Sequence, residues 1–92
     1  MKPETALVHR VMDRLEAEGG FWVKIHGGPF QLSGIPDIIG CWKGLFVAIE
    51  VKCDGNAPTR IQQRIIELIA KAGGRVGVAY NVAEALAIRD NL

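Results

Sequence analysis

Three charged residues in this chain are spaced for joint chemistry. Asp37 follows a proline, while Glu50 and Lys52 stand two apart at the end of an apolar run, with Lys43-Gly44 as a tight turn between the two segments. Side chains alternate along a strand, so Leu45, Val47, Ile49 and Val51 share one face and Phe46, Ala48, Glu50 and Lys52 the other. The first set is wholly apolar and reads as core. The second begins apolar and ends on two opposite charges, which are expensive to bury unless paired or bound to a metal. A hairpin turning at Lys43-Gly44 aligns residues whose numbers sum to about 87, which brings Asp37 opposite Glu50. Two carboxylates so placed repel each other and raise a pKa unless a cation lies between them. Hard oxygen ligands of this kind suit Mg²⁺ or Mn²⁺, ions that retain waters and accept phosphate. Such an ion polarises a phosphoryl oxygen and activates bound water. Lys52 is placed to orient or deprotonate that water, or to neutralise developing charge. The plainer alternative is a structural ion pair between Glu50 and Lys52 at a strand end, and Asp37 in register weighs against it.

The elements that must position these residues follow from periodicity. Pro3-Glu4 opens a helix that runs to about Glu18, with Val8, Val11, Met12 and Leu15 as its apolar stripe and Gly19-Gly20 as its end. Phe21–His26 reads as a strand, residues 27–34 as a loop, Pro36–Trp42 as a second strand and Leu45–Lys52 as a third. After the Asp54-Gly55-Asn56 turn, Thr59 with Gln62 forms a capping box for a helix whose stripe is Ile61, Ile65, Leu68, Ile69 and Ala72. Arg75–Tyr80 is a fourth strand, and Asn81 caps a last helix with Val82, Ala85, Leu86 and Ile88 turned inward. The order αβββαβα predicts an α/β fold with one small mixed sheet flanked by helices. The helix between the third and fourth strands lets those two pair in parallel through a right-handed crossover.

Bulk properties bound the reading. A chain of 92 residues, 49% apolar and 23% charged, predicts one globular domain over 1–92. A domain this small buries a modest share of its surface, so association would help its stability. With 11 basic and 10 acidic residues, nucleic-acid binding must come from a local patch and not from a global field. Cys41 and Cys53 lack metal-type spacing and read as free, partly buried thiols of a reducing compartment. No run suits a membrane span or a signal peptide, and a cytoplasmic location is expected.

Pro36-Asp37 followed by Glu50-Val51-Lys52 resembles the PD-(D/E)xK nuclease signature. The runs Gly34-Ile35-Pro36-Asp37-Ile38-Ile39-Gly40 and Phe46-Val47-Ala48-Ile49-Glu50-Val51-Lys52 are similar to one branch, the virus-type replication-repair nuclease (VRR-Nuc) domains. The likeness extends from Glu4 to about Ala85. It implies a restriction-endonuclease-like core. It also implies that Asp37, Glu50 and the backbone carbonyl of Val51 bind Mg²⁺ or Mn²⁺, with Lys52 as the catalytic lysine. Glu4 matches the acidic residue that relatives carry on the first helix, and Gln62 the glutamine on the helix after the ExK strand. Glu4 also stands four residues before Val8, so it continues a buried stripe; the alternative is a solvated first-turn glutamate favoured by the helix dipole. For Gln62 the capping box is a sufficient alternative role.

Lys24, Lys43, Arg60 and Arg64 are candidate phosphate contacts, the last two one helical turn apart, although lone basic residues are usually a solvated face. Ser33, just before Gly34, could approach a phosphate through backbone N–H groups. His9 and His26 have no ligand-like spacing. Asp54 places negative charge near the expected phosphate path. Stand-alone members of the branch look like homodimers that cut branched DNA such as four-way (Holliday) junctions. The resemblance therefore implies a DNA-repair-type endonuclease of a bacterium or phage-infected cell, acting on branched DNA as a homodimer with no organic cofactor. A nuclease acting on flaps or nicked duplex, and a non-cutting module that binds DNA or protein, are the two other readings.

Overall fold

The computed structural model describes residues 1–29 and 31–92; Phe30, inside the loop expected over 27–34, lies outside the described residues. The elements are α1 (Pro3–Glu18), β1 (Phe21–Lys24), β2 (Ile38–Trp42), β3 (Leu45–Val51), α2 (Arg60–Lys71), β4 (Arg75–Ala79) and α3 (Val82–Asp90). This is the order expected from periodicity. The strands lie side by side as β1-β2-β3-β4, with β3 and β4 parallel and the other pairs antiparallel. Strand ends are shorter than the apolar runs suggested. β1 stops at Lys24 and β2 starts at Ile38, although Ile25 still donates a backbone hydrogen bond to the Asp37 carbonyl at 2.8 Å.

The β2–β3 turn sets the register. Lys43 and Gly44 both have positive φ, 51° and 81°, as a two-residue turn matched to strand twist requires. Ile38 then faces Ile49, Gly40 faces Val47, and Trp42 faces Leu45. One face of the sheet packs against α1 and α3 around Leu7, Val8, Val11, Leu15, Trp22, Ile38, Val47, Ile49, Val51, Ala79 and Ala85. The other face carries α2, which packs against β4. The capping box at its start is formed: the Thr59 hydroxyl accepts from the Gln62 N–H, and Gln62 Oε1 accepts from the Thr59 N–H.

Two expectations about burial fail. The α2 stripe is not core, since α2 has no fully buried residue and Ile61 and Leu68 are among the exposed apolar side chains. Only part of that stripe reaches the sheet. Cys41 is exposed, because β2 alternates and position 41 falls on the thinly covered face. Conversely Arg89, on the last helix, is buried. Its guanidinium bonds Asp90 and Glu18 at 2.9 Å and stacks 4.3 Å from the centre of the Trp42 ring.

Gly40 marks the closest packing in the sheet. A Cβ there would meet the Phe21 carbonyl oxygen at 2.1 Å and the Trp22 ring at 2.4 Å. The obstructing atom is backbone in the adjacent strand and cannot swing aside. Gly40→Ala is therefore expected to destabilise the fold by about 3 kcal/mol or more in urea unfolding, at or above the usual cost of overpacking. Gly28→Ala, where a Cβ meets nothing within 4 Å, should stay within about 0.5 kcal/mol of the parent. Equal effects from the two substitutions would contradict the packing described.

Candidate active site

Asp37 sits one residue before β2, and extending the register places it opposite Glu50. Its orientation is fixed by the neighbouring strand, because Oδ2 accepts the backbone N–H of Val51 at 2.8 Å. The central position of β3 then buries Glu50, which is only 1% exposed. Lys52 follows the end of β3 and keeps its backbone tied to β4 by donating to the Ala79 carbonyl at 3.0 Å. Its Nζ lies 3.7 Å from Glu50 Oε2, with both side chains largely buried.

The electrostatics are dominated by the burial of Glu50 beside a second carboxylate. The Glu50 carboxyl is pushed up to about 8, chiefly by loss of water, then by the Asp37 charge and a hydrogen bond to Asp37, with a further contribution from Glu4. Lys52 pulls in the opposite direction but does not offset these effects. Burial and the second carboxylate together outweigh the Lys52 ion pair. The observed arrangement holds one carboxylate too many for its cations. That donor set fits a hard divalent ion, which would be held by Asp37, Glu50 and the carbonyl of Val51. Glu4, half-buried in the first turn of α1, reaches Glu50 through its field. Among the described residues no three His, Cys, Asp or Glu side chains converge closely enough to ligate an ion together.

The other residues singled out by sequence divide by position. Gln62 is half-buried, and its side-chain oxygen is engaged in the Thr59 cap. Arg60 and Arg64 are exposed on the first two turns of α2. That end of the helix lies at the site, since Gly34 packs against the Ile61 carbonyl and Ile65. Ser33 is exposed and lines a cavity of about 330 Å³ that also touches Asp37. Lys24 is in register with Ile38, so it falls on the α1 face, out of step with Asp37 and Glu50. Lys43 lies at the hairpin tip, with its Nζ 5.2 Å from the centre of the Trp42 ring. At about 3.3 Å per residue it is roughly 20 Å along the strand from Asp37. The structure thus gathers Asp37, Glu50, Lys52 and the α2 arginines at one end of the sheet, and leaves Lys43 at the other.

Sequence reasoning passed over the cavity beside Asp37. Ile25, Gly27, Gly28, Gln31 and Leu32 line it with Ser33. The available signal was parity: Ile25 continues the Phe21 and Val23 face of β1 to the level of Asp37. Tyr80 is a second such residue. Its hydroxyl donates to the Asn56 carbonyl at 2.7 Å and ties down the loop that follows Lys52.

A four-stranded mixed sheet with α2 on the carboxylate face and a PD…ExK register at the end of its central strand defines a PD-(D/E)xK nuclease-like fold. No family model and no curated protein sequence matches the chain. A solved structure described as a VRR_NUC domain superposes with a TM-score of 0.79 at 25% identity, covering 98% of this chain and 97% of that one. The chain therefore shares the fold of a VRR-Nuc domain over nearly its whole length.

The raised Glu50 pKa has a consequence for stability. A carboxyl whose folded-state pKa lies above its unfolded value stabilises the fold fully below that unfolded value, here near 4.5. That contribution is lost as pH rises through the folded pKa of about 8. With EDTA present, the thermal midpoint is expected to fall as pH increases across that window. Glu50→Gln should flatten the slope and raise the midpoint at pH 8 by about 5 °C or more, the effect of roughly 1 kcal/mol in a domain of this size. A Gln variant with the parent's slope would show that the buried carboxylate carries no such penalty.

Proposed function

We propose that this VRR-Nuc-like domain is a Mg²⁺- or Mn²⁺-dependent DNA endonuclease that hydrolyses phosphodiester bonds in branched DNA, four-way junctions foremost, as a homodimer. The carrying observation is the register that sets Asp37 beside a buried Glu50, with Lys52 at 3.7 Å. The bound ion would supply Lewis-acid stabilisation of a phosphoryl oxygen and a more acidic water. Asp37 and Glu50 would hold the ion, and the Val51 N–H keeps Asp37 from rotating away.

Lys52 presents its Nζ at the edge of this pair. Its position suits it to orient the attacking water and to stabilise the developing charge. Glu4 strengthens the negative field at Glu50, and the Gln62 amide stands at the helix start beside the cleft. Arg60, Arg64 and the Ser33 loop are on the same end and would meet the phosphate backbone. The near-neutral charge of the chain leaves affinity to such local contacts. Lys24, on the α1 face, and Lys43, at the far end of the sheet, would meet a substrate only away from the reacting phosphate. Preference for branched DNA and action as a pair are supported by the family likeness and by the small size of a domain that must reach two strands.

The test is cleavage of a four-way junction, a flap, linear duplex and single strand with Mg²⁺, Mn²⁺ or EDTA. Symmetric incision of the junction is expected with either ion and none with EDTA. Lys52→Ala and Asp37→Ala should each reduce the rate by about a hundredfold or more. Cutting that survives EDTA or either substitution overturns the assignment. Binding without incision in all conditions would make the chain a non-cutting DNA-binding module instead.

A further inference from the structure

The cavity beside Asp37 has walls that folding alone does not explain. Ile25 and Leu32 line it with Gly27, Gly28 and Gln31, and Asp37 forms one side. Gly27 and Gly28 have no positive φ, so neither has to be glycine for its backbone conformation. Packing does not require it either, since a Cβ at Gly27 or Gly28 meets nothing within 4 Å. Gly34 and Gly40 differ, because a Cβ there would strike backbone oxygens at 2.8 and 2.1 Å. Glycine loses more conformational freedom on folding than any other residue. Two in succession therefore cost stability, with no compensating contact among the described residues. What they do is keep a space open. The Gln31 N–H donates to the Gly28 carbonyl at 3.1 Å, a tight turn that brings Gln31 back to the same cavity as the two glycines.

The lining selects the occupant. Among the described residues no Lys or Arg borders the cavity, whereas the Asp37 carboxylate does, so a phosphate group is a poor fit inside it. Ile25 and Leu32 supply apolar surface, and Leu32 is 65% exposed. Gln31 carries an amide with both donors and an acceptor. Apolar surface for a flat ring, beside a polar group that can both give and accept, is the chemistry that holds an unstacked nucleobase. At about 330 Å³ the cavity is at the small end of ligand sites, which run upward from roughly 300 Å³. That is room for one base and not for a stacked base pair.

We propose that this cavity receives one unstacked base of the substrate, from a nucleotide adjoining the phosphate that is cut at Asp37 and Glu50. The base and phosphate of a nucleotide are joined through a single sugar. A base seated against Ile25 and Leu32 therefore holds its phosphate at the Asp37 wall, and Gln31 meets the edge of the base. Extruding a base costs least where it is already unpaired or poorly stacked. A branch point, flap or bulge is then favoured over uniform duplex without any reading of sequence. The inference rests on the proposed nuclease activity and deepens it by naming what selects the substrate.

The test uses the whole chain and a four-way junction carrying one 2-aminopurine, a base whose emission is quenched by stacking, moved in turn through the positions around the crossover. Ca²⁺, a hard cation of looser coordination, replaces Mg²⁺ so that binding is read apart from cutting. Emission should rise about twofold or more at one position, as a base leaving its stack requires, and should not rise with Gly28→Leu, which fills the cavity. With Mg²⁺, replacing the nucleotide at that position by an abasic site should lower kcat/KM about tenfold or more, the effect of losing one base stack. Gly28→Leu and Gln31→Ala should each lower kcat/KM on the intact junction with an unchanged circular dichroism spectrum. The abasic site should then cost either variant little more, because both changes delete one interaction. If Gly28→Leu fails to fold, Gln31→Ala and the parent protein on the abasic junction decide the matter. An abasic junction cut as fast as the intact one, losses that multiply, or flat emission from a bound junction overturns the inference and leaves the nuclease standing. A chain that cuts nothing overturns the nuclease, and the emission still decides the cavity.

Discussion

A carboxylate nearly excluded from water, with a second carboxylate beside it, is the constraint around which this molecule is arranged. Glu50 is on the central strand, and its burial follows from that position. Left free, Asp37 would swing toward water and relieve the repulsion. It does not, because one of its oxygens accepts the Val51 N–H, a charge-assisted bond stronger than its neutral counterpart. The hairpin turn at Lys43-Gly44 fixes the register that brings that N–H within reach. The site therefore depends on a turn roughly 20 Å away, and on backbone geometry more than on the side chains around it.

The opposite end of the sheet has the reverse character. There the buried charge is a cation, Arg89, and it is fully answered: by Asp90 and Glu18 through their carboxylates, and by the face of Trp42. Its backbone carbonyl accepts a bond from Arg75 at 2.7 Å. Both carboxylates lie below their ordinary pKa because of these pairings, Glu18 through Arg14 first and Arg89 second, and Asp90 through Arg89. One end of the fold thus satisfies its charges internally, while the other leaves a negative surplus. Surplus charge of that kind costs stability and is the usual mark of a site that awaits a partner.

Much of this was legible in the chain itself. The Lys43-Gly44 turn and strict alternation suffice to align Asp37 with Glu50, because a two-residue turn leaves one register. The Thr59–Gln62 cap was legible for the same reason, since its chemistry is confined to four residues. What failed involved distant elements. Helical periodicity finds the Ile61–Ala72 stripe but carries no information about what lies opposite it. Burial of Arg89 depends on α1, β2 and its own helix meeting at one point. Lys24 and Lys43 were grouped with the site by charge alone. Parity would have separated Lys24, which keeps step with Ile38, and counting residues from the turn would have separated Lys43.

The carboxylate pair and the exposed apolar side chains Phe21, Val23 and Phe46 occupy the same face of the sheet. Along β3 that face runs from Phe46 through Ala48 to Glu50, so apolar surface gives way to charge over four residues, roughly 13 Å. A cover made of apolar side chains is stabilising over the first part and strongly unfavourable over the last, where it would take water from a carboxylate already short of it. Any layer that completes this face must stop short of Glu50. The gradient along one strand therefore separates the two uses of the surface: the start of the strand is suited to another protein layer, and its end must remain open to ions and phosphate.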